Sequence, residues 1–213
     1  MENGVSTDTL AKWLRAWSLS RELPPPVQFR SGYKVDVGYA QQKARYVFAT
    51  LNDDFIRLLK TINEPWVFLK VCAAPEEIEG LLPGRWVIQP QGYMMSCAAP
   101  MNIPGPILPY GYEATVDHYN ATTLIKIRTK DGAPAATGRV VIVDDIAVYD
   151  RIATEEEHKR KGLAAFLMKM LEQVALSKNV HWNFLVATEQ GKLLYLSLGW
   201  AVCSLYTSVV IPA

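Results

Sequence analysis

Apolar residues recur at helical spacing near the start of the chain, where Leu10, Trp13, Leu14 and Trp17 lie within 7–20, ahead of the stop signal Pro24, Pro25 and Pro26. This pattern predicts a short amphipathic helix. A β-like run follows at 33–37, and Tyr46, Val47, Phe55, Leu58 and Leu59 predict a helix inside 41–62. Residues 66–73 read as a buried strand, 75–82 as a short helix opened by Pro75, and 86–96 as a strand interrupted near Pro90 and Gly92. Beyond the first helix, the N-terminal half thus reads β-α-β-α-β. Between Ala98 and Gly111, the prolines Pro100, Pro104, Pro106 and Pro109 with Gly105 exclude both helix and central strand. That stretch is the expected internal boundary, with one half at 1–110 and the other at 111–213.

The second half opens with three expected strands, about 112–129, 135–143 and 145–154, the first two joined by the turn Lys130, Asp131, Gly132. In 162–177, Leu163, Phe166, Leu167, Met170, Leu171 and Val174 recur at three and four, which predicts a helix with one core-facing stripe rather than a cofactor box. A β-branched and aromatic strand is expected at 182–188, a short helix at 191–198 ended by Gly199, and one or two closing strands at 201–211. The order is β-β-β-α-β-α-β. Both halves share strand, helix, strand, helix, strand, so the enlarged first half reads as a candidate degenerate half-repeat.

Composition narrows the function. With 22 basic and 21 acidic residues in 213, the formal net charge is +1, so no global field attracts nucleic acid or an acidic membrane. The polar, acidic start from Met1 to Leu10 and the lack of any stretch of about 18 uninterrupted apolar residues lead to an expectation of a cytoplasmic protein. Cys72, Cys97 and Cys203 fit neither a disulfide framework nor a zinc motif and are expected to be buried, reduced thiols. His118, His158 and His181 form no spaced pair with a second ligand, so no metal is expected. No nucleophile elbow or cysteine triad context supports an acyl-enzyme.

The informative stretch runs Ile152, Ala153, Thr154, Glu155, Glu156, Glu157, His158, Lys159, Arg160, Lys161, Gly162, Leu163, Ala164. It is a strand, a basic loop and a helix start. A helix opening at glycine presents unpaired N–H groups and its positive dipole end, and three adjacent cations add to both. Such a turn suits a pyrophosphate; by itself it also fits a solvated charge run.

This piece resembles motif A of the GNAT acetyltransferase superfamily, in which Gln/Arg-x-x-Gly-x-Gly/Ala binds the pyrophosphate of acetyl-CoA. Lys159, Gly162 and Ala164 stand at the three defined positions, and Ile152-Ala153-Thr154 matches the end of the family's fourth strand. Residues 188–200, Thr-Glu-Gln-Gly-Lys-Leu-Leu-Tyr-Leu-Ser-Leu-Gly-Trp, look like motif B, with Tyr195 at the position of the family's tyrosine. The clear resemblance covers about 112–213. It implies the α/β (α+β) GNAT acyl-CoA N-acyltransferase fold, a mixed central sheet flanked by helices. It also implies acetyl-CoA as cosubstrate, held by Ile152, Ala153, Thr154, Lys159, Arg160, Lys161, Gly162, Leu163, Ala164 and Thr188.

The resemblance assigns Tyr195 the protonation of the leaving sulfur; otherwise it is a helix aromatic with a wet tip. Histone-acetylating members carry a glutamate where this chain has Val148, so their base is not copied. Strict alternation would put Asp150 on one side with Val148, Ile152 and Thr154, where it either meets the incoming ammonium or pairs with a cation such as Arg151. Asp144, Asp145, Glu113 and Asp117 are weaker candidates. In the loop 98–112, Met101, Ile107, Leu108, Tyr110 and Tyr112 either line an acceptor pocket or form a surface connection.

The expected function is acetyl transfer to a primary amine of a small molecule, by direct attack in a ternary complex, in a monomer or homodimer without nucleic acid or membrane. The alternatives are a noncatalytic acyl-CoA-binding sensor or interaction module, and a protein N-acetyltransferase.

Overall fold

The computed structural model describes residues 4–213 apart from Pro104 and Pro106. The start of the polar segment, Met1–Asn3, and two of the boundary prolines lie outside the described residues. In chain order the elements are α1 (Thr7–Leu19), β1 (Val27–Phe29), β2 (Gly32–Tyr39), β3 (Gln42–Phe48), α2 (Asp53–Thr61), β4 (Val67–Val71), α3 (Pro75–Glu79), β5 (Val87–Ile88) and β6 (Gly92–Ala98). They continue with β7 (Tyr112–Tyr119), β8 (Thr122–Thr129), β9 (Pro134–Val143), β10 (Ile146–Thr154), α4 (Leu163–Ser177), β11 (Trp182–Thr188), α5 (Glu189–Ser197) and β12 (Ala201–Val210). Two compact units result: Met1–Met95 with Val186–Leu193 and Val202–Ala213, and Ser96–Leu185 with Leu194–Ala201.

In the first unit β1, β2 and β3 form an antiparallel meander, β4 runs parallel to β3, and β12 pairs antiparallel with β4. The apolar stripe of α1 is buried as expected, and Ser6 caps the helix by accepting the Thr9 N–H at 3.1 Å. The helix expected across 41–62 is instead a strand and a shorter helix. Residues 42–48 alternate in burial and pair on both sides, so ladder formation overrides the helical reading. Asn52 then starts α2 afresh, its Oδ1 accepting from Asp54 N and Phe55 N. Phe48, Phe55, Leu59, Leu69, Val71 and Val209 form the core beneath α2.

The second unit has the strand order β11-β10-β9-β8-β7, antiparallel except for the parallel pair β10–β11. The single strand expected at 112–129 is a hairpin, β7 and β8, turning at Asn120, whose φ of 47° is one that asparagine tolerates. Helix α4 lies over β9, close enough that a Cβ at Gly138 would fall 2.6 Å from Ile152 Cδ1 and 3.0 Å from Leu167 Cδ2. Glycine is what lets that helix seat.

The closing segment is one strand. Each unit therefore carries a mixed sheet with helices against it. Cys97 is buried, but Cys72 and Cys203 are only half-buried, because both line a cavity of about 490 Å³ in the first unit with Glu77 and Ser204. None of the three is joined in a disulfide. Among the described residues no helix is long and apolar enough to cross a membrane, and no group of three or more His, Cys, Asp or Glu is placed to hold a metal.

Candidate active site

The site is built where β10 loses a neighbour. Its parallel ladder with β11 runs from Ile146↔Trp182 to Tyr149↔Leu185 and ends there, while β10 continues to Thr154 against β9. The stretch Arg151–Thr154 runs beyond the end of that ladder, where a strand edge can offer donors and acceptors to a ligand.

A β-bulge lies in this stretch. The register with β9 shifts between Asp150 and Ala153, and Arg151 adopts a φ of 51°. One extra residue reverses which side chains share a face. Asp150 stays with Val148, opposite Arg139, but Ile152 reaches over Gly138 toward α4, and Thr154, opposite Ala136, lies on that same face. The expectation that Asp150, Ile152 and Thr154 line one side is corrected accordingly. Ala153 takes the side of Asp150.

After Thr154 the chain makes one 3-10 turn at Glu156–His158, passes an extended Lys159 and a left-handed Arg160 at φ 59°, and enters α4 through Gly162 at φ 78°. No side chain caps this helix. Phe166 N reaches Gly162 O at 3.1 Å, so the N–H groups of Leu163, Ala164 and Ala165 precede the first intrahelical bond. A Cβ at Gly162 would meet nothing within 4 Å, so the space above the turn is open. Lys159 is paired with Glu156, whereas among the described residues no ion pair engages the exposed Arg160 and Lys161. Uncapped amides, a positive helix end and two solvent-facing cations fit a diphosphate. Leu163 itself is buried and Ala164 half-buried, so these two offer backbone to a ligand rather than side chain.

Tyr195 is 7% exposed, on α5. Burial, with the Asp150 carboxylate adding to it, pushes its phenol up to about 12. The two residues expected to do chemistry are thus electrostatically coupled. Thr188, at the start of α5, accepts Gly191 N–H at 3.2 Å with its hydroxyl, a helix-capping role.

Residues the sequence reading passed over support the strand from behind. Tyr149 donates to Asn183 Oδ1 at 3.0 Å and meets Trp200 edge-on at 5.4 Å, and Tyr195 lies 5.9 Å from the same indole. Burial, then the charges of Glu172 and Cys97, drive the Tyr149 phenol strongly upward, so it serves as a donor. The α4 stripe also differs from the expectation. Its buried residues are Leu163, Leu167, Met168, Leu171, Glu172 and Ala175, while Phe166, Met170 and Val174 are half-buried. Glu172 is fully buried, accepting from Met101 N and from Lys169 Nζ, the latter at 2.7 Å. Met101 is therefore pinned to α4, while Ile107 and Tyr110 of the same loop stand exposed.

The chain's sequence adds its own comparison. Residues 98–200 match the acetyltransferase (GNAT) family. That stretch is similar to a GNAT domain. Solved structures agree on the fold over nearly the whole length. A GCN5-related N-acetyltransferase from Kribbella flavida is 17% identical with a TM-score of 0.66, the match covering 99% of this chain and 96% of that one. An acetyltransferase of the GNAT family from Novosphingobium aromaticivorans, described as putative, is 15% identical with a TM-score of 0.57, covering 94% and 98%. A tandem GNAT protein from the clavulanic acid biosynthesis pathway is 11% identical with a TM-score of 0.59, covering 95% and 94%. No curated protein matches the chain. Within the GNAT frame, Tyr195 and the 159–164 turn both fall inside the matched residues.

Proposed function

We propose that this GNAT protein transfers an acetyl group from acetyl-CoA to a primary amine of a small molecule, by direct attack while both substrates are bound. The observation that carries the reading is the end of the β10–β11 ladder at Tyr149, a short distance in sequence before an uncapped, cationic helix start. In this reading the amides of Gly162 to Ala165, with Arg160 and Lys161, hold the diphosphate. The groups of β10 beyond the end of the ladder, from Arg151 to Thr154, receive the amide-bearing arm and the thioester oxygen.

A primary alkylamine is mostly protonated near neutral pH, so the attacking nitrogen must first lose a proton. Asp150, on the Val148 face, is the group assigned to attract the ammonium and take that proton, directly or through water. As nitrogen bonds to the carbonyl carbon and the C–S bond breaks, Tyr195 donates its proton to sulfur, and the second proton shed by the new amide nitrogen restores the phenol through water. A phenol pushed up to about 12 is fully protonated near neutral pH and so available to donate. The near-zero net charge supports a small acceptor over a polyanionic one.

We assign the part of the 1–110 half that lies in the first unit, as far as Met95, to the acceptor side. At its own helix between parallel strands, Asn52 fills the N-terminal amides of α2, and Asp53 and Asp54 make that end acidic, which repels a second diphosphate. The same composition supports a cytoplasmic setting.

The test is thiol release from acetyl-CoA with a panel of small amines. Turnover with at least one, and product mass increased by one acetyl group, is the expected result. Binding of acetyl-CoA without turnover on any amine or peptide would favour a noncatalytic module, a reading that the buried, apolar Val148 in place of the family's glutamate supports. Turnover confined to peptides would favour a protein acetyltransferase.

A further inference from the structure

The diphosphate turn has a neighbour that the transfer reaction does not use. Tyr112 OH and His158 Nδ1 lie 2.9 Å apart with their rings edge-on at 5.6 Å, which ties the start of β7 to the 3-10 turn leading into Lys159. Two residues before Tyr112, Tyr110 is 93% exposed, and Ile107 is exposed beside it in the chain. A tyrosine ring so exposed at a fixed place is unusual, because burial of apolar surface ordinarily takes it in.

Its place is fixed from both sides. Tyr112 N donates to Pro109 O at 3.3 Å, and Lys130 N to Gly111 O at 3.1 Å, so the segment is strapped to the β8–β9 turn. Lys130 then lays its ammonium 4.1 Å from the centre of the Tyr110 ring. The neighbouring Asp131 is engaged by Thr129, and its carboxyl is held low first by that hydrogen bond, with the charge of His158 contributing. Tyr110 and Lys130 are thus joined, through Gly111 and Tyr112, to His158, the residue before Lys159.

The carrier's chemistry matches that pair. Beyond its diphosphate, coenzyme A continues into a purine nucleoside bearing a 3′-phosphate: a flat π-face and a dianion one nucleotide from the turn. An exposed aromatic ring stacks a base without displacing protein contacts, and a lysine beside it supplies the countercharge. We propose that Tyr110 and Lys130 form a seat for the adenosine 3′-phosphate end of acetyl-CoA, the base stacking on the open face of Tyr110 and Lys130 meeting the phosphate. This deepens the acetyl-CoA reading above and rests on it.

Calorimetric titration of the wild type, Tyr110→Ala and Lys130→Gln with CoA, 3′-dephospho-CoA and 4′-phosphopantetheine tests it. Tyr110→Ala is expected to weaken CoA about ten-fold while leaving 4′-phosphopantetheine, which lacks the nucleoside, unchanged. Lys130→Gln is expected to erase the preference for CoA over 3′-dephospho-CoA. If the wild type and Tyr110→Ala bind CoA equally, or Lys130→Gln keeps the wild-type preference, the seat is refuted while the acetyl-CoA reading stands. A wild type that binds none of the three probes would overturn the acetyl-CoA reading and the seat with it. Both side chains are exposed, so neither substitution removes core packing, and matching circular dichroism melts are the control for folding.

Discussion

Single residues separate chemistry from architecture in this protein. Removing the Tyr195 hydroxyl in Tyr195→Phe leaves the ring that packs beside Trp200, so the fold is retained and the proposed proton donor is not. The expected outcome is a fall in kcat of about 10² or more with KM little changed, read by thiol release; unchanged kcat in a chemistry-limited assay would remove Tyr195 from the mechanism. Lys70 poses the opposite case, a cation held inside the first unit. Its ammonium donates to Ser208 Oγ at 2.5 Å, and burial first, then Arg45 and Arg21, hold its pKa well below the usual 10.5. The folded state thus binds that proton less readily than the unfolded chain, which takes it up as pH falls through 10.5. Stability is lost over that window. Lys70→Met is expected to raise Tm at pH 7 and to flatten the dependence of stability on pH between neutral and alkaline conditions, checked by thermal melts across pH.

At the scale of elements, what was legible in the sequence followed the strength of periodicity. The α1 stripe of Leu10, Trp13, Leu14 and Trp17 and the strand-turn-helix at 152–164 stood where patterning put them. Residues 42–48 did not, because a short run with Tyr46 and Val47 satisfies either period and only pairing with two strands decides between them. The bulge at Arg151 was invisible for a different reason: a β-branched or charged sequence carries no mark of one added residue, yet it moved Ile152 and Thr154 off the face of Asp150. Glu172 was hidden by its own charge, since a carboxylate in a helix reads as solvent-facing until the Met101 N–H and Lys169 that satisfy it are in place. Glu172→Leu keeps the helix but leaves that buried N–H without its acceptor. We expect a loss of about 1–3 kcal/mol in chemical denaturation, and rapid hydrogen exchange at Met101.

For the whole molecule, the two units repeat one device, a helix between parallel strands, and use it differently. In the first unit the β3–β4 ladder runs through Phe48↔Val71, Cys72 N continues to Phe48 O, and α2 is closed by Asn52 and acidic behind it. In the second, the β10–β11 ladder stops at Tyr149 and α4 opens uncapped at Gly162. Equilibrium titration is accordingly expected to give one acetyl-CoA per chain, and a stoichiometry of two would show that the first unit binds as well. The resemblance to motif A located this turn in the sequence, but the contrast between the units required coordinates, because it lies in hydrogen bonds made and left unmade.

The most direct test follows the amide signals of isotopically labelled protein as acetyl-CoA is added. The account predicts that the largest shifts fall on Gly162, Leu163 and Ala164, with smaller ones along β10 from Asp150 to Thr154, and almost none at the α2 start from Asp53 to Phe55. Saturable binding that leaves the 162–164 amides unmoved would contradict it.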